Sequence, residues 1–222
     1  MAFDRDAAVA WYRKNRARSR ALFDLITAEA YYSQPIALRH PIVFYEGHLP
    51  AFSFNTLVKR ALGRPSIDAR LEALFARGID PHESAAAGGD ASRAAALWPA
   101  RDEVHRFADE ADRQVIDALE HAELERPGDP LLDRAEAVFT ILEHEAMHQE
   151  TLLYMWHRLP YADKLKPDDL SYELGTPPEQ RQIAIFAGRA TLGARRPSSM
   201  PDRRAAGSIV AFGWDNEFDA LT

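Results

Sequence analysis

The chain has 222 residues and no cysteine, and 46% of its residues are hydrophobic and 27% charged, which is typical of a globular protein. Without cysteine it cannot form a disulfide, bind zinc or an iron–sulfur cluster through thiolates, or use a cysteine nucleophile. Any metal must therefore be bound by His, Asp or Glu. The formal net charge of −7 disfavours nucleic acid and anionic membranes as partners.

The length allows one large domain, or a medium domain with part of another. No basic segment followed by an apolar run stands at the start, and no apolar stretch reaches about 18 residues. We therefore predict a cytoplasmic protein that neither spans nor binds a membrane.

A first helix is predicted from about Asp4 to Thr27, with Asp4 as its N-cap. The middle of this helix is strongly basic, and we interpret these side chains as a solvent-exposed face. They are Arg13, Lys14, Arg16, Arg18 and Arg20.

A second helical segment lies within residues 35–62. Its helix is predicted to begin near His40, because Pro41 suits a first helical turn. Pro50 cannot donate a backbone hydrogen bond, and it therefore predicts a kink or break just after His48.

Further along, the pattern predicts a short helix at 67–75, a loop at 83–95, a third long helix at 99–124 and a fourth at 130–159. Four long helices with a long second connection predict a helix bundle. After Pro160 the pattern changes to loops. Short strands are predicted at 182–186, 190–192 and 209–212.

The fourth helix contains two histidines at positions where its pattern calls for apolar side chains. His144 and His148 are one turn apart, so they lie on the same face and can bind one ion. Neutral imidazole is a common ligand for zinc and iron, and bundle interiors are common metal sites. The same residues also match the H-E-x-x-H motif of zinc proteases, in which Glu145 would be the general base. No edge strand for docking a peptide is evident ahead of this helix, which disfavours the protease.

His48, in an otherwise apolar part of the second helix, is the best candidate for a third ligand. The second and fourth helices of a bundle can face each other across its core. Three neutral imidazoles on one face of an octahedral ion leave three positions for substrates and oxygen. The other histidines are predicted to be surface or structural residues, namely His40, His82, His105, His121 and His157.

Several segments resemble a known family. The segment 39–48 (RHPIVFYEGH), followed far downstream by His144-x-x-x-His148-x-Glu150, resembles the DinB-like N-terminal domain of non-haem iron sulfoxide synthases. These enzymes act in the biosynthesis of ergothioneine, ovothiol and related selenium compounds. The stretches 74–80 and 98–104 are similar to segments between the ligand helices. The tail 212–218 (FGWDNEF) resembles part of the formylglycine-generating-enzyme-like (FGE-like) domain that follows in those proteins.

The resemblance implies a mainly α chain: a DinB-like four-helix bundle over 1–160, a linker over 161–180 and the beginning of an incomplete α+β, FGE-like domain over 181–222. It implies Fe(II) bound by His48, His144 and His148. It also implies O2-dependent formation of a C–S or C–Se bond on the imidazole ring of histidine or histidine betaine, with a thiol or selenol donor.

Within that family, Glu150 would orient a ligand from outside the metal's coordination sphere. Met147 stands where some ergothioneine-type members have a glutamine that contacts the imidazole substrate, so the substrate stays open. The catalytic tyrosine and much of the substrate pocket are expected in a C-terminal domain, which could be a separate partner.

Two alternatives remain. One is a DinB-like, metal-dependent thiol transferase, which uses the same bundle and three histidines but no oxygen. The other is a non-catalytic helical bundle. The 213–217 string (GWDNE) favours the sulfoxide synthase, because a thiol transferase has no need of it.

Overall fold

The computed structural model describes residues 3–76, 98–167, 175–190, 192–193, 212–214 and 217. The chain divides into two compact units, Met1–Asp168 and Asp169–Thr222. The first unit is helical. Its long helices are α1 (Arg5–Phe23), α2 (Ile42–Ser53), α4 (Arg101–His121) and α5 (Glu136–Arg158), and α3 (Ala69–Phe75) is short.

Helix α1 begins as predicted, because the Asp4 carboxylate accepts a hydrogen bond from the Ala7 N–H at 2.9 Å. It ends at Phe23, four residues before the predicted Thr27. The chain after it turns away to pair with a distant segment: the Thr27 N–H donates to the Asp163 carbonyl at 3.0 Å. Because this contact joins residues far apart in the chain, the local hydrophobic pattern does not indicate where α1 ends.

Helix α2 continues through Pro50 to Ser53, so the predicted break after His48 is wrong. The helix then widens into a π-helix over Phe54–Ala61, in which the Leu62 N–H donates to the Leu57 carbonyl five residues earlier. Packing on every side compensates for the hydrogen bond that Pro50 cannot make, because almost all of α2 is buried.

The short helix predicted at 67–75 is confirmed as α3, and the long helix predicted at 99–124 is confirmed as α4. Helix α5 begins at Glu136, six residues after the predicted start. Arg134 and Ala135 adopt left-handed backbone conformations (φ of 56° and 57°), which interrupt helical hydrogen bonding ahead of α5. The loop predicted at 83–95 lies outside the described residues.

The long helices form the predicted mainly α bundle. Helix α1 packs against α4 and α5, and α2 packs against the same two helices. Helices α1 and α2 therefore occupy opposite corners. This arrangement turns one face of α5 towards α2 and another towards α1.

Buried apolar side chains form two clusters, one around Phe44 and Trp156 and one around Leu57 and Val138. Between them along the helices lie buried polar residues, here called the polar layer. Its members are Asn15, Arg16 and Ser19 on α1, His48 on α2, Asp112 on α4, and His144, Glu145, His148 and Gln149 on α5.

Arg16 joins three helices within the polar layer. Its guanidinium contacts Asp112 of α4 at 2.8 Å and Glu145 of α5 at 2.9 Å. Only 9% of the Arg16 side chain is exposed, so the prediction that this basic stretch is a solvated face is wrong at Arg16. Arg13 and Arg20, in contrast, are exposed as predicted.

In the second unit, residues 182–186 form no strand, contrary to the prediction. Ile183, Ile185 and Phe186 are exposed, and among the described residues no backbone partner pairs with this segment. The strands predicted at 190–192 and 209–212 lie partly or mostly outside the described residues. Within the same described part, no helix is long and apolar enough to cross a membrane.

Replacing Arg16 with leucine would leave Glu145 buried without its cation and Asp112 paired only with the largely exposed Arg20, at 3.0 Å. We expect Arg16→Leu to lower the free energy of unfolding by about 3–5 kcal/mol, measured by urea denaturation. The matched control is Arg13→Leu on the same helix, whose exposed ion pair with Glu120 contributes about 0–1 kcal/mol. Equal losses in the two variants would contradict this account of the polar layer.

A further buried carboxylate, Glu46 on α2, pairs with Arg101 at the start of α4 at 2.8 Å and with His105 at 3.1 Å. Burial raises the pKa of Glu46, but the hydrogen bonds and charge of Arg101, together with Tyr31 and His105, outweigh burial, so the pKa of Glu46 lies below the ordinary value. A carboxyl group with a lowered pKa stabilises the fold above its unfolded-state pKa of about 4.3. That stabilisation is lost as the pH falls through the lower folded-state pKa.

We therefore expect Glu46→Gln to be less stable than wild type at pH 7, with a difference that shrinks as the pH falls below about 4.3. Thermal unfolding of both proteins across this pH range measures the difference in stability. Glu29→Gln, at an exposed position, serves as control and should follow the wild-type profile. If the loss of stability in Glu46→Gln stayed constant down to low pH, the lowered pKa of Glu46 would be contradicted.

Candidate metal centre

The structure brings His48 of α2 together with His144 and His148 of α5. The Nε2 atom of His144 lies 3.3 Å from that of His48 and 3.2 Å from that of His148. One ligand atom from each residue lies within 4.8 Å of the others. All three are buried, with exposures of 5%, 7% and 1% for His48, His144 and His148.

His48 is oriented by a backbone contact that the sequence did not indicate. Its Nδ1 lies 2.7 Å from the carbonyl oxygen of Phe75 at the end of α3. A carbonyl only accepts, so Nδ1 carries the proton and donates it, and the Nε2 lone pair points towards the other two histidines.

Gly47 makes this contact possible. A Cβ atom at position 47 would overlap the ring of Phe75, which packs directly on the α2 backbone there. The close approach of α3 to α2 thus depends on the missing side chain and brings the Phe75 carbonyl within reach of His48.

The three imidazoles are neutral at ordinary pH. Burial lowers the pKa of His48 to about 4, although the hydrogen bond to Phe75 partly opposes it. Burial and the neighbouring His48 lower the pKa of His148 to about 3. Burial, with His148 and His48 nearby, also holds the pKa of His144 well below its ordinary value. Neutral imidazole is the form that binds a metal ion.

The donor set fits a divalent transition metal. Because the His48 Nε2 has no proton, and the His144 Nε2 has at most one, hydrogen bonds cannot satisfy both short Nε2 contacts at once. Ligand nitrogens about 2.0–2.1 Å from a shared ion lie about 3–3.5 Å apart. The two Nε2 contacts of His144, at 3.3 and 3.2 Å, fall within this range. In addition, Nδ1 of His144 and of His148 are buried with no hydrogen-bond partner among the described residues.

Glu145 does not join the histidines. Its Oε1 accepts hydrogen bonds from Arg16 at 2.9 Å and from Ser19 at 2.7 Å, on the side of α5 that faces α1. Burial raises the pKa of Glu145, and Arg16 and Ser19 oppose that shift. A carboxylate held there cannot act as a general base beside the histidines, which removes the structural basis for a zinc-protease site.

Glu150, predicted to orient a ligand, lies exposed on α5 and forms no hydrogen bond to the histidines in the described part of the chain. Met147 is also exposed, at 44%. Among the other histidines, His121 and His157 are at the surface and His105 pairs with Glu46, as expected for surface or structural residues. His40 is buried and its ring lies 4.1 Å from that of Phe44, whereas His82 lies outside the described residues.

Comparison with known proteins identifies the superfamily to which the chain belongs. The model of the DinB superfamily matches residues 12–152, which include all three histidines, and the chain belongs to that superfamily.

Among curated proteins, the chain is similar to ergothioneine biosynthesis protein 1 of Neurospora crassa, with 28% identity covering 89% of this chain and 23% of the relative. It is also similar to ergothioneine biosynthesis protein 1 of Schizosaccharomyces pombe, with 30% identity covering 60% of this chain and 17% of the relative. The chain therefore spans less than a quarter of the length of either relative.

The close contact between Gly47 and Phe75, which brings the Phe75 carbonyl within reach of His48, can be tested by substitution. Gly47→Ala should displace α3 and lower the free energy of unfolding by about 1–3 kcal/mol, although alanine favours helix by about 1 kcal/mol. Phe75→Leu in the same chain should recover part of the loss, because it removes the overlapping ring. Urea denaturation of the two single variants and the double variant measures the coupling. Strictly additive losses would contradict the contact.

Proposed function

We propose that this chain is the iron-binding portion of an Fe(II)- and O2-dependent sulfoxide synthase of the ergothioneine type. The observation that carries the proposal is the convergence of three neutral, buried imidazoles from α2 and α5 on one point. Membership of the DinB superfamily and similarity to two ergothioneine biosynthesis proteins support it.

In this proposal His48, His144 and His148 hold the iron. When bound, Fe(II) supplies one centre at which a thiol or selenol and O2 meet the imidazole of histidine or histidine betaine. The protein keeps the imidazoles of the three histidines neutral by burial, fixes His48 through the Phe75 carbonyl, and packs the aromatic rings of Phe44, Tyr45 and Phe52 against the histidines.

The proposal also keeps the division of the chain that the resemblance implies. The bundle over 1–160 provides the metal ligands, 161–180 is a linker, and 181–222 begins an FGE-like domain. Further FGE-like structure, in a longer form of the chain or in a separate partner, would supply the catalytic tyrosine and much of the substrate pocket.

Metal binding tests the proposal. Metal-free protein titrated with Fe(II) under nitrogen should bind about one ion per chain, and His48→Ala, His144→Ala and His148→Ala should each weaken binding at least about tenfold. His157→Ala, an exposed histidine on the same helix, is the matched control and should bind as wild type.

Two outcomes would overturn the proposal. If His48→Ala left Fe(II) affinity unchanged, the cross-helix triad would be wrong. If the protein instead carried stoichiometric zinc and transferred a thiol to an electrophile without consuming O2, the chain would be a thiol transferase.

A further inference from the structure

The three histidines are not held in the same way. His48 donates its Nδ1–H to the Phe75 carbonyl, which is how metal-binding histidines are usually oriented. His144 has no such bond, since its Nδ1 is buried without a hydrogen-bond partner in the described part of the chain. The outer torsion of a histidine side chain has a broad energy profile, so another contact must fix its ring plane.

That contact is the ring of Phe52. The Phe52 and His144 ring centroids are 3.5 Å apart and their planes differ by 7°, so the rings lie face to face. The other aromatic neighbours of the site are less closely stacked. Phe44 lies 4.9 Å from His48 at 20°, and Tyr45 lies 5.7 Å from His148 at 58°.

Phe52 reaches His144 because α2 does not end at Pro50. Phe52 stands four positions after His48, so in a continuous helix both project from the same face, one turn apart. Helix α2 therefore supplies His48 to the centre and also a flat surface for the ring of His144. A break after His48 would have separated these two side chains.

We propose that Phe52 is a positioning residue for the metal centre. Its ring sets the plane of the His144 imidazole and so directs the Nε2 lone pair towards the Nε2 atoms of His48 and His148. The inference rests on the proposed metal binding by these histidines and assigns Phe52 the orienting role that a hydrogen bond has at His48.

Co(II) is a suitable probe, because its visible absorption reports the geometry of its ligands. In Phe52→Leu, which keeps an apolar side chain but removes the flat ring, we expect Co(II) affinity to fall about 10- to 100-fold, the usual effect of losing an orienting group. The absorption bands of the remaining bound Co(II) should shift. Phe52→Tyr retains a ring and should restore both affinity and spectrum.

Phe139→Leu is the matched control, because Phe139 is a half-buried phenylalanine whose ring contacts Phe3, 6.2 Å away, rather than a histidine of the site. It should leave the Co(II) affinity and spectrum as in wild type. Thermal unfolding of each metal-free variant shows whether a loss of Co(II) affinity comes from a less stable fold or from a displaced His144 ring.

The outcomes distinguish this inference from the function on which it rests. If Phe52→Leu binds Co(II) with wild-type affinity and spectrum while His148→Ala does not bind, the role of Phe52 is overturned and the metal site stands. If Phe52→Tyr is as weak as Phe52→Leu, stacking is not the cause. If wild type itself binds no Co(II) or Fe(II), the proposed function fails.

Discussion

The structure depends on the buried contacts of Arg16 with Asp112 and Glu145 at the centre of the bundle. Charges removed from water are tolerated only when they are paired, so α1, α4 and α5 must meet in one register. This requirement sets the rotation of α5. Glu145 and Gln149 face α1, and His144 and His148, about 100° away around the helix, face α2.

The candidate metal centre is a consequence of that rotation together with the geometry of α2. Two histidines one turn apart on α5 meet a third from the facing helix, and burial keeps all of them neutral. The surrounding contacts are unequal. A carbonyl from α3 orients His48, whereas the ring of Phe52 stacks on His144. The site is thus assembled from α2, α3 and α5, and none of these elements contains it alone.

The similarity to ergothioneine biosynthesis proteins covers only a small part of those proteins. The DinB superfamily match ends at residue 152, and the chain spans 23% and 17% of the two relatives. What the bundle offers by itself is three buried, neutral imidazoles whose nitrogen atoms meet at one point. The substrates and the carbon–sulfur chemistry belong to the proposal, and so does the further FGE-like structure that would complete the pocket.

The sequence by itself determined the helical class, the approximate places of the long helices and the pairing of His144 with His148, because these follow from periodicity along the chain. It also singled out His48. Only the tertiary structure decided that α2 runs through Pro50, that Arg16 is buried and that Glu145 turns away from the histidines. It also placed the Phe75 carbonyl and the Phe52 ring around the site. Each of these depends on contacts between residues far apart in the chain, which local patterns do not encode.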